Sequence, residues 1–268
     1  MFKKLYVFVL FILITSQTLW AQQDFKDLPT LKNKHILMVW GGWEGHKPKE
    51  FTDRVAKWLS SQGANVLIFD TLSVYTDSLL LAKQDLIIQY HTMGSITKDQ
   101  NKGLLTAVKN GIGIAGCHGG LGDSFRQETH YQYMVGGQWV EHPGGKINYK
   151  VDITNQNDPV TAGLKDFDIQ DTEQYFMHVD PNVKVLATTT FNDEFDSWIK
   201  GAVMPVSWKK YYGKGRVFYL SIGHNPKDFD NASAWALLTR GIAWASDSRK
   251  GPTEKWLSPL YPSHTKLK

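Results

Sequence analysis

A glycine-rich segment, Gly111–Gly122 (GIGIAGCHGGLG), carries a cysteine and a histidine side by side. Its apolar start is typical of a buried parallel strand, and the glycines that follow predict a sharp strand-to-helix turn, which we call the elbow. In one register Cys117 occupies the apex of the elbow and presents a thiol. In the other register His118 occupies the apex, with a glycine two positions away on either side, and presents an imidazole. The function depends largely on which register the chain adopts.

Histidines follow several predicted strands at the point where each strand ends. His46 lies in the loop after the first strand, His91 and His118 follow the third and fourth, His224 follows the last, and His142 lies in a loop that could fold over the same edge. Because parallel strands end at one edge of a sheet, we expect these imidazoles to converge. Imidazole suits acid–base catalysis and is the commonest zinc ligand. No HxH or HxxxH pair occurs, so the sequence fixes no cofactor and leaves a divalent metal (Zn²⁺) at the histidine cluster open.

Two further segments carry polar side chains that could hold a ligand. Glu173 and Tyr175, in DTEQYF, would point the same way on a strand and could hold a sugar hydroxyl, although a solvated turn is the alternative. Glu44 lies in GGWEGH, where Gly42 and its neighbouring glycines allow backbone N–H groups to approach a ligand. The segment is not a phosphate loop, because GGWEGH contains neither GK[ST] nor GxGxxG.

Strands and helices alternate in the part of the chain that positions these residues. Strands are predicted at 35–40, 65–69, 85–90 and 112–117, with helices beginning at Pro48 and Thr97. This β-α-β-α-β order predicts a parallel sheet with helices on both faces and the elbow strand near its centre. The rest of the chain is predicted to contain a short helix at 128–135, a loop at 136–145, strands at 147–153, 183–189, 203–208 and 216–220, and a closing helix capped by Asn231.

The first 22 residues are typical of a secretory signal, with Lys3 and Lys4 before the apolar run Leu5–Ile14 and Ala21 at the cleavage position. The apolar run is too short for a comfortable membrane span, so we expect a periplasmic or secreted protein with no membrane span after signal removal. About 245 residues remain, enough for one α/β domain (23–250) followed by a polar tail (251–268).

Charge and cysteine content narrow the classes of partner. The formal charge of +4 includes the two signal lysines, so the mature chain is near +2, with no basic run, which argues against a nucleic-acid partner. The single cysteine excludes an intrachain disulfide. The expected partner is a small-molecule carbohydrate, and the sequence leaves the oligomeric state open, a homo-oligomer included.

Seven segments along the chain form an ordered set: GGWEGH (41–46), GIGIAGCHGG (111–120), YQYMVGGQWVEHPGG (131–145), NDPVTAGL (157–164), DTEQY (171–175), PVSWKKYYGKGRVFYLSIGH (205–224) and LLTRGIAWA (237–245). Together they resemble the ThuA-like family, named for trehalose utilisation, over about residues 35–245. The resemblance implies a flavodoxin-like α/β fold of the class I glutamine amidotransferase-like superfamily, with a mainly parallel sheet. It also implies a role in carbohydrate metabolism, on disaccharides or their oxidised keto derivatives.

Carried over residue by residue, the resemblance implies a polar, histidine-rich pocket made of His46, His118, His142, Glu173, Tyr175 and His224. Family members usually have an aliphatic residue before the elbow histidine, where this chain has Cys117. The AGCHG segment also resembles the elbow of cysteine hydrolases on the same fold. The rest of the chain does not resemble those hydrolases.

Three interpretations remain open. The first is a sugar-processing hydrolase, lyase or isomerase with His118, His46, His224, Glu173 and Tyr175 as catalytic candidates. The second is a hydrolase or amidotransferase with Cys117 as nucleophile. The third is a non-catalytic sugar-binding module that stacks sugars on tryptophans. The candidate ligand-contacting residues are Gly42, Trp43, Glu44, His91, Cys117, Gly119, Trp139, His142 and Trp208.

Overall fold

The fold is seen in a computed structural model that describes residues 28–252. The strands are β1 (His35–Gly42), β2 (Asn65–Phe69), β3 (Leu86–Thr92), β4 (Gly113–Cys117), β5 (Gly137–Glu141), β6 (Lys146–Ile153), β7 (Phe167–Glu173), β8 (Phe176–Val179), β9 (Lys184–Thr190), β10 (Val203–Tyr212) and β11 (Gly215–Leu220). The helices are α1 (Pro48–Ser61), α2 (Ser78–Ala82), α3 (Lys98–Lys109), α4 (Gly119–Gly122), α5 (Thr129–Val135) and α6 (Ala232–Ser246). Short 3-10 turns lie at Glu44–His46, Leu72–Thr76, Ser197–Ile199, Pro226–Asp230 and Ser248–Lys250.

The central sheet has nine strands in the order β2-β1-β3-β4-β11-β10-β9-β6-β7. The first five run parallel, and their order is the flavodoxin-like 2-1-3-4-5 arrangement. The remaining strands extend the sheet in antiparallel pairs. The predicted α/β class is therefore confirmed, and β4 lies between two parallel neighbours near the centre of the sheet.

Helices cover both faces of the sheet, because successive side chains along each strand point alternately into two cores. Ile36 and Ile88 pack with α1 and α6 on one face, whereas Leu37 and Ile87 pack with α3 and α5 on the other. Local signals set the helix ends: Pro48 is the first residue of α1, and the caps of α3 and α6 use side chains as predicted.

Two expectations about secondary structure need correction. The segment at 136–145 was expected to be a loop, yet Gly137–Glu141 forms β5 and pairs antiparallel with β8 in a separate two-stranded sheet. Glu173 and Tyr175 do not share one strand, because Glu173 ends β7 and Tyr175 lies between β7 and β8, and their segment is not a solvated turn. Strands β5 and β8 pair with each other across a long stretch of sequence, which local patterns do not show.

The predicted signal at 1–22 lies outside the described residues, as does most of the predicted tail at 251–268. Within the described part of the chain, no helix combines the length and apolar character that a bilayer crossing requires.

Candidate functional site

The apex of the elbow is His118, which lies between the end of β4 and the start of α4 with φ 49° and ψ −141°. Such a conformation is strained for any residue with a Cβ and is held here by its surroundings. The backbone N–H of His118 donates to the Leu220 carbonyl at 2.7 Å. A Cβ added at Gly116 would lie 2.6 Å from the Gln89 carbonyl oxygen, and one at Gly120 would lie 2.8 Å from the Tyr90 Cα. The backbone therefore adopts the imidazole register.

Cys117 is fully buried in the core that contains α1 and α6. Burial raises the pKa of its thiol well above the ordinary value, and the nearby Asp228 carboxylate raises the pKa further. The side chain thus stays protonated and packs as a small apolar group. Contrary to the expectation that Cys117 contacts a ligand, no ligand can reach the thiol from solvent in this arrangement.

Four side chains converge on the elbow, each offering one donor atom, and these atoms lie within 4.8 Å of one another. We call this set the His–Glu cluster. It consists of His46, His118, Glu173 and His224. His46 comes from the 3-10 turn after β1, Glu173 is the last residue of β7, and His224 follows β11. Gly119 makes room for the His46 ring, since a Cβ there would lie 2.7 Å from its Cε1.

Neighbouring groups fix the orientation of the two buried imidazoles. The Nδ1 of His118 donates to the Ser221 carbonyl at 2.7 Å, because a carbonyl oxygen can only accept. The Nε2 of the same ring therefore points at Glu173 Oε2, 3.0 Å away. The Nδ1 of His46 lies 2.7 Å from the Thr92 hydroxyl, which leaves its Nε2 as the free nitrogen.

The Glu173 carboxylate contacts three imidazoles at once. Besides His118, its Oε1 lies 3.1 Å from His224 Nδ1 and 3.7 Å from His142 Nε2. Burial alone would raise the pKa of the Glu173 carboxyl, but the contacts with His118 and His224 outweigh burial and hold the pKa well below its ordinary range. Glu173 is therefore ionised at any ordinary pH.

Burial and the neighbouring rings keep His46 neutral. Burial lowers its pKa most, the nearby His118 lowers it further, and the pKa falls to about 2 despite the opposing charge of Glu173. The ring centroids of His46 and His118 lie 4.7 Å apart, so a proton on one disfavours a proton on the other. A neutral imidazole keeps one lone pair, which can accept a hydrogen bond or bind a cation.

Aromatic rings form one wall beside the cluster. The Tyr175 ring stacks on His118 with 4.0 Å between centroids, and Trp139 lies 5.7 Å from His142. The Arg126 guanidinium covers the Trp139 ring at 4.3 Å. Two buried nitrogen atoms in this wall, Trp139 Nε1 and His142 Nδ1, have no hydrogen-bond partner within residues 28–252. Burial in a protein normally requires such atoms to be paired, so they mark a place for a ligand or water.

The rim of the site contains Trp43, whose ring packs edge-on against His46 at 4.7 Å and is 48% exposed. Gly42 is required by the backbone: its φ is +82°, and a Cβ would lie 1.8 Å from the Thr92 carbonyl oxygen. A polar cleft of about 480 Å³ opens beside His224, and its lining includes Lys146 and Asp171. A more apolar cavity of about 440 Å³ lies between α2 and α3, away from the cluster.

Three predicted site residues lie elsewhere. Trp208 is fully buried and donates its indole N–H to the Val135 carbonyl at 2.9 Å, so it is a core residue and cannot be a stacking face. His91 is half-buried, and its ring lies 5.7 Å from Phe125, outside the four-residue cluster. Glu44 is exposed at the start of its 3-10 turn.

Sequence reasoning missed the residues that position the cluster. Thr92 orients His46, and Ser221 orients His118 through its backbone. The Tyr90 hydroxyl donates to the Gly223 carbonyl at 2.5 Å, which holds the loop after β11. The Tyr219 hydroxyl donates to the His118 carbonyl at 3.2 Å, which holds the elbow. Only Thr92 had a usable signal, because it ends a strand beside a candidate histidine.

A known family matches this chain in sequence, and solved structures resemble it in fold. The family model ThuA, described as trehalose utilisation, matches residues 35–245. A ThuA-like protein from Bacteroides uniformis ATCC 8492 superposes with a TM-score of 0.67 at 18% identity, covering 80% of this chain and 92% of that one. A ThuA-like protein from Parabacteroides merdae ATCC 43184 gives a TM-score of 0.65 at 19% identity, covering 84% and 93%. At these identities the structures support the fold alone. Among curated proteins, none matches the chain in sequence.

Proposed function

The chain belongs to the ThuA family of trehalose utilisation, and on that premise we propose that it is an enzyme acting on a disaccharide or keto-sugar at the His–Glu cluster. The observation that carries the proposal is the convergence of three imidazoles and one carboxylate at the carboxyl-terminal edge of the parallel strands. Ligands of open α/β sheets bind at this edge. Proton transfer to or from a sugar hydroxyl or carbonyl requires groups of this kind close together.

The side chains around the proposed substrate have separate roles. Neutral His46 can accept a hydrogen bond from a sugar hydroxyl, since its pKa of about 2 keeps it unprotonated. Ionised Glu173 stabilises positive charge that develops on His118 or His224 during proton transfer. His118 is fixed by the elbow and by Ser221, so its Nε2 stays aimed at the Glu173 carboxylate.

The surroundings of the cluster suit a carbohydrate. Trp139 carries a buried indole N–H without a partner, which can donate to a sugar hydroxyl. The exposed face of Trp43 offers a surface for the apolar side of a sugar ring. The polar cleft beside His224 offers space for further hydroxyl groups.

The burial of Cys117 argues against the alternative of a cysteine-nucleophile hydrolase. A nucleophilic cysteine needs a lowered pKa and access to substrate, whereas this thiol has a raised pKa and no exposed surface. A non-catalytic sugar-binding module remains as an outcome of the experiment below.

The experiment is turnover of trehalose and of its keto derivative, followed by chromatography and mass spectrometry. We expect product with the wild-type chain and a loss of ~100-fold or more in Glu173→Gln, because acid–base assistance is typically worth that much. Glu50→Gln is the matched control, since Glu50 is 63% exposed on α1 and should leave turnover unchanged. Binding of either sugar without any product from a panel of disaccharides and keto-sugars would instead identify a binding module.

We also propose that the protein is exported to the periplasm or secreted. The support is the charged start with Lys3 and Lys4, the apolar run Leu5–Ile14 and the small residue Ala21. N-terminal sequencing of the mature protein should begin close to Gln22 or Gln23. An intact Met1 on protein recovered from the cytoplasm would contradict export.

A further inference from the structure

We propose that the His–Glu cluster binds one divalent transition-metal ion, with His46, His118, His224 and Glu173 as ligands. The inference rests on the proposed function in that it concerns the same site, but it makes a separate claim about what the cluster holds. Three features of the cluster support it: the positions of the donor atoms, the hydrogens they carry, and the groups that orient them.

The donor atoms are close enough to share an ion. The four atoms lie within 4.8 Å of one another. Metal–nitrogen and metal–oxygen bonds of about 2.0–2.2 Å hold neighbouring ligands about 3–4 Å apart. Closing the remaining gap needs side-chain rotations of a few tenths of an ångström to about 1 Å. The His118–Glu173 and His224–Glu173 pairs, at 3.0 and 3.1 Å, already have the spacing of two ligands on one ion.

The hydrogen positions leave a conflict that a cation removes. Because the Nδ1 of His118 donates to Ser221, a neutral His118 ring presents an Nε2 lone pair to Glu173 Oε2, and two acceptors then face each other at 3.0 Å. A second ring proton would resolve this one contact. The buried Nδ1 of His224 would still be without a partner. It lies 3.1 Å from Glu173 but makes no hydrogen bond within the described residues. A metal ion accepts lone pairs from all of these atoms at once.

The groups behind the ligands have the arrangement common in metal sites. Metal-binding histidines almost always donate their second ring N–H to a carbonyl, carboxylate or water, which fixes the ring and its tautomer. His118 does so to the Ser221 carbonyl. The Nδ1 of His46 lies 2.7 Å from the Thr92 hydroxyl, whose oxygen can accept its proton. Stacking of Tyr175 on the His118 ring at 4.0 Å limits rotation of that ligand further.

The donor set also indicates the kind of metal. Three imidazoles and one carboxylate suit Zn²⁺, Fe²⁺, Ni²⁺ or Mn²⁺, whereas Mg²⁺ and Ca²⁺ prefer oxygen ligands throughout. When bound, such an ion would act as a Lewis acid on a sugar carbonyl or hydroxyl oxygen. His142 lies on the more open side of Glu173, where its half-exposed ring can contact a substrate.

The test uses the full chain, stripped with EDTA and titrated with ZnCl₂ by calorimetry, with metal content after dialysis measured by mass spectrometry. We expect one equivalent of Zn²⁺ in the wild type and no binding of Mg²⁺. Binding should weaken by ~100-fold or more in Glu173→Gln and in His224→Asn, because even changes behind a ligand cost about 10–100-fold. His178→Asn is the matched control, since His178 is an exposed histidine on β8 and should leave the affinity unchanged.

His224 lies in a loop with its side chain only partly buried, so His224→Asn keeps the test informative should Glu173→Gln fail to fold. Zn²⁺ affinity in the wild type no tighter than in folded His224→Asn would overturn the inference. Sugar turnover by stripped protein that binds no Zn²⁺ would overturn it as well and leave the proposed function standing. Tight binding of one Zn²⁺ by a chain that turns over no sugar would support the metal site and remove the proposed function.

Discussion

Two buried charged clusters in this protein differ in how completely their polar atoms are paired. In the first, Asp158 Oδ2 accepts from Lys209 at 2.5 Å and from Lys184 at 3.0 Å, while Oδ1 accepts the Val160 N–H at 3.0 Å. We call this the Asp158 cluster. The second is the His–Glu cluster, where the buried Nδ1 of His224 makes no hydrogen bond within residues 28–252.

The difference separates a structural cluster from a functional one. Lysine ammonium groups only donate and carboxylates only accept, so the hydrogen bonds within the Asp158 cluster can form in one direction only. Imidazoles can donate, accept or bind metal, so the His–Glu cluster has several arrangements and free capacity. Natural proteins leave polar groups unsatisfied in this way mainly at functional sites. The Asp158 cluster also explains the NDPVTAGL segment as a structural element, because its aspartate pairs with one lysine from β9 and one from β10.

The largest expected effect is on stability, from Asp158→Asn. The substitution removes the carboxylate charge that faces the buried Lys209 ammonium, and breaking a buried pair typically costs about 3–5 kcal/mol. Urea unfolding at neutral pH measures the loss. The control is Asp193→Asn, whose partner Lys200 is exposed, so its effect should stay within about 0.5 kcal/mol. A loss of unfolding free energy below about 1 kcal/mol in Asp158→Asn would show that the Asp158 cluster is not a structural cluster.

The next largest effect is the loss of activity in Glu173→Gln, a substitution that should change stability very little. Glu173→Gln keeps the volume of the side chain but removes its charge, so we expect turnover to fall by ~100-fold or more, equivalent to about 2.7 kcal/mol of barrier. The free energy of unfolding of metal-free protein should change far less than in Asp158→Asn, because the Glu173 side chain is 10% exposed and its partners are imidazoles, whereas Asp158 is fully buried against two ammonium groups. Equal losses of stability in both variants would show that the two clusters have the same role.

A smaller effect is expected at the elbow, where Cys117 and His118 are neighbours with different surroundings. Cys117→Ala removes one buried sulfur from the core, which should cost on the order of 1 kcal/mol of stability and leave turnover unchanged. Urea unfolding and a turnover assay on the same preparation give both numbers. Loss of activity with retained fold, together with rapid iodoacetamide labelling of the wild-type thiol, would favour Cys117 as the functional residue.

Much of the framework could be predicted from sequence because it depends on local patterns. Apolar strands that alternate with amphipathic helices predicted the parallel sheet, and the rule that ligands bind beyond strand ends indicated His46, His118 and His224. The sequence left both registers of the elbow open, and the glycines on both sides of His118 fit the one that the structure has, since a Cβ at Gly116 or Gly120 would meet backbone atoms.

The rest depends on contacts between segments far apart in the chain. Strand β5 forms only by pairing with β8, some forty residues later, so its sequence alone looked like a loop. Trp208 was indistinguishable from an exposed tryptophan until β10 was placed between β9 and β11, which buries it. The pairing of Ser221 with His118 spans 103 residues and involves a backbone carbonyl, which leaves no mark on the side-chain pattern.

The last and smallest effect is the pH dependence that Asp158 contributes to stability. Burial by itself would raise the pKa of Asp158, but the charge of Lys209 and the hydrogen bonds from Lys209, Val160 and Lys184 outweigh burial, so the pKa is lowered from its ordinary 3.8. The folded state therefore binds the Asp158 proton more weakly than the unfolded state does. Its contribution to stability is complete above pH 3.8 and is lost as the pH falls through the lower folded-state pKa. Urea unfolding at pH 7, 5 and 3 should show a constant gap between wild type and Asp158→Asn at the two higher values and a narrower gap at the lowest. Exposed Asp193→Asn supplies the baseline for general acid effects, and a gap that widened on acidification would reverse the sign and exclude Asp158 as a stabilising carboxylate.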